Sequence, residues 1–418
     1  MTETHPEVLI IGGGIIGLAT AYALSQEGAR VTVVERDDLG AGSSTGNAGW
    51  IVPSYSIPLA SPHALRNGLR WLLDPRSPFY IRPRPSPALL GWLLRFVWAS
   101  RSRAMRQGLA VLRDLGFASQ RLLETWLERE GIECGYQRRG VLTLHRTPEA
   151  HRAADEEAAL LREFGIRAEV LTREATLSKA PWVQPSVVGS LYTPDDGHLD
   201  PAALLQGLAR RLRQQGMAIH THTPVTGLRV ADGRVREVLT PSRRWQPEVV
   251  VLATGAWSAA LARPLGLGLP LQAARGYSVT MPRPPQVGAL PLMLGTSKVA
   301  VTPLGDRLRL AGTLELAGVE VRLNPRRVEA ILDAVPRYLR LERPQVDVQT
   351  AWVGLRPCTP DGLPVIGWAP GVRNLLIATG HCMLGVSLAA ITGHLVAQLV
   401  TGAPPTLNLH PLRVTRFR

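Results

Sequence analysis

Apolar and polar positions near the start of the chain follow two periods in turn. Val8–Ile11 and Val31–Val34 are short runs rich in β-branched residues, which is typical of buried strands. The segment between them, Ile15–Glu27, has the periodicity of a helix, and Gly28 is the residue type that commonly ends one. The pattern therefore predicts a strand–helix–strand unit, with a run of glycines joining its first strand to its helix.

Along the rest of the chain the pattern alternates between helix and strand at the two ends and is mixed in the middle. Further strands are predicted at 140–145, 166–170, 188–192, 217–222, 225–230, 234–240, 248–253, 271–282, 299–303 and 307–315. Further helices are predicted at 102–130, 148–164, 200–215 and 325–341. The segment 40–63 is rich in Gly, Ser and Pro, which predicts a long ordered loop.

The length of the chain and the order of these elements predict two domains. A chain of 418 residues exceeds what one hydrophobic core usually holds. Alternating strands and helices at both ends of the chain imply that the first domain is discontinuous and that the second is inserted into it. The expected fold class is α/β combined with α+β: a Rossmann-like domain formed by 1–85, 195–262 and 350–418, and a substrate domain with a mixed antiparallel sheet formed by 86–194 and 263–349.

The chain is strongly basic, with a formal net charge of +14. Lys179 and Lys298 are the only lysines among its 47 basic residues, and the arginines are spread along the chain. A dispersed charge differs from the clustered patch of a nucleic-acid-binding protein, so no nucleic-acid partner is expected. The positive electrostatic field of the whole chain favours acidic substrates or anionic membrane surfaces.

Three cysteines, Cys134, Cys358 and Cys382, lack the spacing of metal ligands, so no metal is expected. Their small, odd number predicts reduced thiols and a cytoplasmic protein. The N-terminal segment lacks the basic region of a signal peptide. The apolar stretch 88–99 is too short for a membrane span, and 375–400 contains too much glycine, histidine and hydroxyl.

The glycine run after the first strand carries the strongest chemical signal. Gly12, Gly14 and Gly17 fit the GxGxxG pattern, which allows a tight turn, a close approach of backbone to a pyrophosphate, and close packing of helix on strand. Glu35 ends the second strand and is expected to accept hydrogen bonds from ribose hydroxyls. This order of elements predicts an adenine-dinucleotide site. Its expected lining also includes Ile15, Ile16 and Arg36.

Three later segments favour FAD over NAD as the dinucleotide. The first consists of small residues with exposed N–H and O–H groups: Ser43, Ser44, Thr45, Gly46, Asn47, Ala48 and Gly49. The second surrounds the end of the apolar strand at 248–253, with expected contacts from Val225, Ala253, Thr254, Gly255 and Trp257. The third is a turn before a helix, whose N-terminus favours negative charge on a reduced flavin. Its expected contacts are Gly380, His381, Met383, Leu384, Gly385, Val386 and Ser387.

With these motifs the chain resembles the D-amino-acid oxidase-like superfamily of FAD-dependent oxidoreductases. The resemblance rests on VLIIGGGIIGLATAYALSQEGARVTVVER, STGNAGWIVPSYSIPLASP, LDPRSPFYIRP, VLATGAWS, RGYSVT, GLRPCTPDGLPVIG and IATGHCMLGVSLAAITGHLVAQLV, which keep the family order over most of the chain. Within the superfamily the chain looks most like the bacterial D-amino acid dehydrogenases of the small-subunit type. Glycine oxidases and hydroxyproline dehydrogenases are neighbouring groups.

The resemblance implies a substrate site around GLRPCTPDG. Arg356 stands where the family holds the substrate carboxylate, which a planar guanidinium can bind through two parallel hydrogen bonds. Tyr277 and Tyr55 stand at positions near the substrate. Relatives with covalent flavin carry a cysteine near the place of Gly354, so non-covalent FAD is expected here. His381 lies in the turn over the flavin, where backbone contacts need no particular side chain.

The activity implied by the resemblance is oxidative deamination of D-amino acids. Hydride passes from Cα to flavin N5, the imine hydrolyses to a 2-oxo acid, and electrons go to a quinone or another acceptor. Two alternatives keep the flavin chemistry: a D-proline or hydroxy-D-proline dehydrogenase, and a glycine- or sarcosine-type oxidase that uses O₂. Two others are an NAD-dependent dehydrogenase and a flavin-binding subunit of a heteromeric complex.

The stretch 64–106 raises the question of a membrane contact. It is apolar, contains Trp71, Trp92 and Trp98, and is flanked by arginines. Such a stretch suits a peripheral contact with the inner face of a membrane, near a quinone. Helices packed within the substrate domain explain the same composition.

Overall fold

The computed structural model describes residues 3–4, 7–62, 64–65, 77–82 and 84–417. The predicted strand–helix–strand unit is present as β2 (Val8–Ile11), α1 (Ile15–Gln26) and β3 (Val31–Val34). The two strands are parallel, with Val8 opposite Val31, and all their residues are buried. Burial on both faces explains why both strands are continuous apolar runs rather than alternating ones.

Strands and helices alternate along the rest of the chain. The strands are β1 (Glu3–Thr4), β4 (Trp50–Ile51), β5 (Phe79–Ile81), β6 (Val141–His145), β7 (Glu169–Thr172), β8 (Gly189–Thr193), β9 (Gly197–His198), β10 (Ala218–His220), β11 (Gly227–Ala231), β12 (Arg234–Leu239), β13 (Arg244–Trp245), β14 (Val249–Leu252), β15 (Gln272–Pro282), β16 (Leu292–Leu294), β17 (Val299–Leu304), β18 (Arg307–Leu316), β19 (Trp352–Cys358), β20 (Val365–Trp368) and β21 (Leu375–Thr379). The helices are α2 (Pro87–Ala99), α3 (Ser102–Glu130), α4 (Pro148–Glu163), α5 (Arg173–Lys179), α6 (Pro201–Gln214), α7 (Ser258–Ala262), α8 (Pro325–Tyr338) and α9 (Ala389–Thr401).

A six-stranded sheet forms the half of the molecule that contains the strand–helix–strand unit. Within the described residues its strand order is β10–β3–β2–β14–β21–β20, and β20 alone runs antiparallel to its neighbour. α1 and α9 pack together on one face, and they touch where a Cβ at Gly393 would lie 2.4 Å from the Ala19 carbonyl oxygen. Parallel strands end at the same edge, so the segments that follow β2, β3, β14 and β21 meet there. The arrangement confirms the predicted Rossmann-like unit.

A second, mixed sheet forms the other half. Its described strands follow the order β19–β15–β18–β17–β16–β6–β8–β7, and β5 also pairs with β18. Most neighbours are antiparallel, whereas the pairs β16–β6 and β18–β5 are parallel. α8 packs Ile331, Leu332 and Val335 onto the aliphatic core beneath this sheet. The mixed sheet is of the predicted type.

Among the local predictions that differ from the structure, two show the cause of the difference. The strand predicted at 166–170 is shifted, because Ile166 is buried in the preceding connection and Glu169 begins the ladder with β8. The loop predicted at 40–63 contains the two-residue strand β4, in which Trp50 lies opposite His198 of β9. Such short strands depend on distant partners, which a local pattern does not reveal.

Several segments, among them α3 and β19, pack with the half of the molecule opposite to the one predicted for them, and the division into domains stays a prediction. α3 falls in the stretch 86–194 assigned to the substrate domain, yet its Leu112, Leu115 and Trp126 share the core of α1 and α9. β19 falls in 350–418, assigned to the nucleotide-binding domain, yet it pairs with β15 in the mixed sheet. The two halves are therefore more interleaved than a simple insertion predicts.

α2 lies within the stretch 64–106 and has one buried and one exposed face. The buried side chains are Leu89, Trp92 and Phe96. The exposed apolar face consists of Leu90, Leu94, Val97 and Trp98. Trp71 lies outside the described residues. No helix in the described parts of the chain is long and apolar enough to cross a membrane.

Candidate active site

A deep cleft lies at the edge where the parallel strands end. It encloses about 1640 Å³, including space open to solvent. Its walls come from the segments after β2, β3, β14 and β21 on one side, and from β15, β18 and β19 on the other. The cleft therefore joins the two halves of the molecule at the edge where open α/β sheets bind ligands.

The glycine loop brings backbone, rather than side chains, to the cleft. Gly12 has a φ of +113°, and a Cβ there would lie 2.5 Å from the Ala253 carbonyl oxygen. A Cβ at Gly17 would lie 1.9 Å from the Gly12 carbonyl oxygen. Gly14 precedes α1 without a side-chain cap, and the first turn of α1 lines the cleft. A helix N-terminus whose N-cap residue has no side chain leaves N–H groups free to bind phosphate.

Glu35 lies in the cleft wall directly after β3. Its carboxylate accepts hydrogen bonds from the Gly13 N–H at 2.6 Å and the Asp37 N–H at 2.9 Å, one on each oxygen. A carboxylate oxygen can accept more than one hydrogen bond, so this arrangement fixes the glycine loop and leaves capacity for ribose hydroxyls. The Arg36 guanidinium lies 4.6 Å above the centre of the Trp257 ring, and both residues line the cleft.

The loop 43–49 folds over the start of α1. Ser44 Oγ accepts a hydrogen bond from the Ile15 N–H at 2.9 Å. Asn47 closes the loop on itself, because its Nδ2 donates to the Ser44 carbonyl (2.8 Å) and its Oδ1 accepts from the Gly49 N–H (2.8 Å). The polar side chains of this segment therefore shape the loop, while its small residues line the cleft.

Arg309, on β18, is a site residue that the sequence patterns did not single out. Its Nη1 donates to the carbonyls of Thr45 (3.0 Å) and Asn47 (2.8 Å), and its Nε donates to Thr280 Oγ1 (3.0 Å). Burial lowers the pKa of this guanidinium. Its loop partners are 264 and 262 positions away, so no local signal marks this arginine. Arg309 ties the loop to the mixed sheet.

A chain of hydroxyl groups joins the ends of β14 and β21. Ser258 Oγ is 3.1 Å from Thr254 Oγ1 and donates to Thr379 Oγ1 at 3.0 Å. Thr379 Oγ1 in turn donates to the Gly255 carbonyl at 3.0 Å. The two segments that follow these strands are therefore held against each other where they line the cleft.

The turn after β21 is the second part of the cleft in which the backbone reverses tightly. Gly380 has a φ of +81° and Cys382 a φ of +49°, several residues before α9 begins. His381 Nε2 is 2.9 Å from Thr392 Oγ1, whose hydroxyl donates to the Leu388 carbonyl. His381 Nε2 therefore carries the proton and donates it. Burial lowers the pKa of His381 to about 3, so the ring is neutral at neutral pH.

Arg356 projects from β19 to the cleft. Its Nη1 donates to the Thr313 carbonyl at 2.8 Å and more weakly to the Arg275 carbonyl at 3.4 Å. The guanidinium lies against the backbone of Gly276, where a Cβ would be 2.1 Å from Nη1 and 2.4 Å from Nη2. Burial lowers the pKa of Arg356, and no described carboxylate forms an ion pair with it. A guanidinium in this setting favours an anionic ligand.

The carbonyl that holds Arg356 belongs to a strained part of β18. Thr313 has a φ of +59°, which is exceptional for a β-branched residue. The pairing of β15 with β18 shifts register at this place, between Arg275 and Tyr277. Strain of this kind is often found at functional sites. Here the irregular backbone places the carbonyls of Arg275 and Thr313 within hydrogen-bond distance of the Arg356 guanidinium.

Tyr277 lines the cleft, but its hydroxyl is engaged elsewhere. It donates to Glu315 Oε2 at 2.6 Å, and Glu315 Oε1 lies 4.0 Å from Arg275 Nη1. Burial and this hydrogen bond raise the pKa of Tyr277, so the phenol stays protonated. Tyr55 is not placed at the cleft, because its ring packs edge-on against Trp50 at 5.7 Å. Burial raises its pKa as well.

Most of the predicted cofactor contacts line the cleft. They are Gly12, Gly14, Ile15, Ile16, Glu35, Arg36, Ser43, Ser44, Gly46, Asn47, Val225, Ala253, Thr254, Gly255, Trp257, His381, Met383, Gly385 and Val386. A smaller group belongs to the same segments but lies behind the lining: Gly17, Thr45, Ala48, Gly49, Gly380, Leu384 and Ser387. Ser387, for example, accepts a hydrogen bond from the Val52 N–H at 2.9 Å. As contacts of a cofactor, all of these residues stay predictions.

Trp352 is a lining residue that the sequence patterns missed. A Cβ at Gly46 would lie 2.1 Å from its Cδ2, and a Cβ at Gly354 would lie 2.0 Å from its Cη2. The indole therefore lies flat against two glycines from opposite walls of the cleft. A signal for it exists in the sequence, because Trp352 and Gly354 are two apart on a strand and share one face.

These observations fit an adenine dinucleotide with a flat second ring. The start of α1, which lines the cleft, suits the pyrophosphate, and Glu35 suits the ribose. Glycines and the Trp352 ring are among the residues that line the rest of the cleft, where a planar group would need close backbone approach. Arg356 adds a place for an anionic substrate beside it. The fold and the site define a flavoprotein oxidoreductase.

Comparison with known proteins identifies the family. Residues 7–399 match the family described as "DAO: FAD dependent oxidoreductase". The chain belongs to this family and is an FAD-dependent oxidoreductase. The predicted cofactor, enzyme class and fold class are thereby confirmed.

Two bacterial D-amino acid dehydrogenases are among the proteins similar to this chain. The chain is 38% identical over 425 residues to the D-amino acid dehydrogenase of Paramagnetospirillum magneticum, covering 98% of this chain and 99% of that protein. It is 37% identical over 412 residues to D-amino acid dehydrogenase 2 of Pseudomonas aeruginosa, covering 96% of each.

Solved structures share the fold. Glycine oxidase from Geobacillus kaustophilus superposes with a TM-score of 0.79 at 24% identity, covering 99% of both chains. L-proline dehydrogenase from P. horikoshii superposes with a TM-score of 0.71 at 19% identity, covering 100% of this chain and 98% of that one.

Proposed function

We propose that this protein is an FAD-dependent D-amino acid dehydrogenase that converts its substrate to an imine, which water hydrolyses to a 2-oxo acid. One observation carries the proposal. Arg356 lies at the cleft, held by two backbone carbonyls, and no described acidic side chain pairs with it. A substrate carboxylate would supply the missing partner. The names of the two curated relatives support the substrate class.

FAD, when bound, supplies the hydride acceptor for this reaction. We propose that the glycine loop, Glu35, the loop 43–49 and the turn 380–387 hold it without a covalent bond. Support for non-covalent binding comes from Gly354, which has no side chain and lies under the Trp352 ring.

Arg356 would fix the orientation of the substrate. Its Nη1 is engaged with the Thr313 carbonyl, so the remaining N–H groups of the guanidinium are the ones that can bind a carboxylate. Two parallel hydrogen bonds hold both carboxylate oxygens, which restricts rotation of the Cα–H bond. Gly276 allows the guanidinium to lie flat in the required place.

The histidine and the tyrosine at the cleft are poorly suited to remove the ammonium proton. His381 is neutral but donates its Nε2 proton to Thr392 from a buried position. Tyr277 is protonated and bonded to Glu315. We therefore propose that the substrate reacts as the free amine, so that kcat/KM rises with pH toward the pKa of the substrate amine.

The proposed function is tested by anaerobic mixing of the FAD-loaded protein with matched enantiomers. D- and L-alanine, D- and L-proline, glycine and sarcosine form the panel, and the visible flavin absorbance is the readout. We expect bleaching by at least one D-enantiomer and none by its L-partner. Bleaching by L-enantiomers, or by glycine and sarcosine alone, contradicts the proposal, as does an absence of bleaching across the panel.

The electron acceptor is tested with the same protein. We propose a quinone or carrier rather than O₂, because the curated relatives are named dehydrogenases. Turnover with a D-amino acid should reduce an artificial dye rapidly and consume little oxygen in an oxygen electrode. Oxygen consumption equal to dye reduction would instead favour an oxidase of the glycine- or sarcosine-type.

We also propose a cytoplasmic protein that touches an anionic membrane surface through α2. Leu90, Leu94 and Trp98 are spaced four apart, so they form one stripe, and each is at least 60% exposed. Arg95 and Arg101 are exposed beside it, and the Arg101 guanidinium lies 5.2 Å above the Trp98 ring. Apolar and cationic groups together favour the interface of anionic lipid.

Co-sedimentation with vesicles of anionic phospholipid at low salt tests this contact. We expect the native protein to pellet and the double variant Leu94→Glu/Trp98→Glu to stay in solution. Val319 and Val321 are exposed to a similar degree elsewhere, at 55% and 58%, so Val319→Glu/Val321→Glu is a matched control that should still pellet. Equal behaviour of the two variants, or no pelleting of the native protein, contradicts the proposal.

A further inference from the structure

Two cysteines meet at the point where the two sheets approach each other. Cys358 is the last residue of β19, and Cys382 lies in the turn after β21. Their Sγ atoms are 2.8 Å apart. The Cys382 N–H donates to the Pro357 carbonyl at 3.0 Å, and Cys358 forms an isolated β-bridge with His381. Backbone hydrogen bonds therefore hold the two thiols together, independently of the sulfur contact.

The two thiols differ in access. Cys382 lines the cleft and is partly exposed, whereas Cys358 is fully buried. Trp92 of α2 covers Cys358, and its Nε1 donates to the Cys358 carbonyl at 2.9 Å. The hydrogen bond between the thiols lowers the pKa of Cys382 and raises that of Cys358. Of the two thiols, Cys382 is the more acidic and the one that faces the cleft, so an oxidant small enough to share the cleft with the cofactor would meet it first, while Cys358 stays sheltered beside it.

We propose that Cys358 and Cys382 form a redox-modification site, a thiol pair that a hydroperoxide converts into a reversible disulfide. The Cys382 thiolate attacks the O–O bond of the peroxide, which leaves a sulfenic acid on Cys382 and releases water or an alcohol. Cys358 then attacks that sulfur, the S–S bond forms, and the sulfenic oxygen leaves as water. Two thiols are oxidised by two electrons, the peroxide is reduced by two, and both thiol protons leave in the products.

The backbone needs little adjustment for this step. A disulfide has an S–S distance of about 2.05 Å, so the sulfurs must approach by roughly 0.8 Å. Cys134 offers an internal comparison. It is buried in the core around α1, burial raises its pKa to about 11, and neither of the other two cysteines belongs to that core. The proposal therefore requires that two of the three cysteines react as a pair and that Cys134 does not.

The bond would link two parts of the site. Cys358 is two residues from Arg356 on β19, and Cys382 follows His381 in the turn that lines the cofactor side of the cleft. Both thiols lie close enough to Arg356 to raise the pKa of its guanidinium when they are ionised. Oxidation would therefore replace an ionisable thiol beside Arg356 with a neutral crosslink.

Thiol mapping of the FAD-loaded protein tests the pair. The protein is reduced, desalted, treated with equimolar hydrogen peroxide, denatured in an alkylating agent and digested for mass spectrometry. We expect Cys358 and Cys382 to lose reactivity together, a linked peptide that contains both, its loss after treatment with dithiothreitol, and full alkylation of Cys134. Three alkylated thiols after tenfold excess peroxide, or oxidation of Cys382 beyond sulfenic acid with Cys358 still reduced, would overturn the proposal.

Single variants separate the steps. Cys134→Ser should leave the linked peptide unchanged. Cys358→Ser should stop at a Cys382 sulfenic acid that dimedone traps, and Cys382→Ser should leave Cys358 reduced at the same peroxide dose. Equal oxidation of Cys358 in the Cys382→Ser protein would contradict the proposed order. If a variant does not fold, the mapping of the native protein still decides the question. The readout is a mass and not turnover, so it is independent of the D-amino acid substrate.

Discussion

The two walls of the cleft are built in different ways. On the dinucleotide side, the glycine loop and the turn after β21 present backbone, and each is formed by residues close together in the sequence. On the substrate side, Arg356 depends on carbonyls from β15 and β18, 81 and 43 positions away. The first wall is specified locally and the second by long-range packing. Substitutions on the two sides of the cleft should therefore have different effects on folding, FAD binding and activity.

The largest effect is expected on the dinucleotide side, from Gly17→Val. The Cβ would lie 1.9 Å from the Gly12 carbonyl oxygen, which is backbone and cannot move aside without displacing the loop. We expect no FAD to be retained after purification, measured as the flavin-to-protein absorbance ratio, and a loss of stability above about 3 kcal/mol. Gly227→Ala is the control, since its Cβ meets Leu239 Cδ1 at an ordinary 3.7 Å. Normal FAD content in Gly17→Val would contradict the argument.

A smaller effect is expected on the substrate side, from Gly276→Ala. The new methyl group meets the end of the flexible Arg356 side chain, which can move, so the protein should fold and keep its FAD. Displacement of the guanidinium costs one charged hydrogen bond, about 1.5–3 kcal/mol, so kcat/KM should fall roughly 10- to 100-fold. In the Arg356→Leu background the same substitution should have little further effect. Full additivity of the two losses would show that Gly276 acts independently of Arg356.

The contrast between the two walls also explains what the sequence could predict. The strand–helix–strand unit and the GxGxxG loop follow from residues that lie within the first thirty-five positions, so the sequence predicts their bounds to within about one residue. Arg356 was found because a family resemblance marks it. Arg309 and Trp352 were not found, since their contacts arise only when β18 and β19 meet the loop 43–49.

Tyr55 shows that a family resemblance alone does not determine where a side chain packs. Its segment matches the family order, yet its ring fills a space beside Trp50 and Met293 behind the cleft. The segment is in the expected place, but the direction of a side chain depends on the neighbours that surround it. The interleaving of α3 and β19 between the two halves has the same cause, because burial partners cannot be inferred from the order of elements.

Tyr277→Phe distinguishes a packing role from a substrate contact. The substitution leaves buried Glu315 without its hydrogen-bond donor at 2.6 Å, so we expect a loss of about 1–3 kcal/mol in the free energy of unfolding in urea. kcat/KM should change less than about threefold. The matched control is Tyr192→Phe, whose hydroxyl donates to the Arg139 carbonyl at an exposed position. A large kinetic loss with unchanged stability would instead place the Tyr277 hydroxyl at the substrate.

The smallest effect is expected in the acid stability of the turn after β21. Burial lowers the pKa of His381 to about 3, so below pH 6.5 the unfolded chain binds a proton that the folded protein does not. This histidine therefore lowers stability as pH falls from 6.5 toward 3, by at most about 1.4 kcal/mol per pH unit. His145 and His198, both with pKa values lowered to about 4, act in the same direction. Urea unfolding at pH 7 and pH 5 should show a weaker pH dependence for His381→Gln than for the native protein; identical dependence would argue against a buried neutral ring.

The central claim is that Arg356 binds the carboxylate of the substrate, and a matched substrate pair tests it most directly. The measurement is kcat/KM of native protein and Arg356→Leu for a reactive D-amino acid and for its amide, which lacks the negative charge. We expect the variant to lose roughly 10²- to 10⁴-fold with the acid, which corresponds to two charged hydrogen bonds, and less than about threefold with the amide. FAD content should be unchanged. Equal losses with the acid and the amide would contradict the proposed role of Arg356.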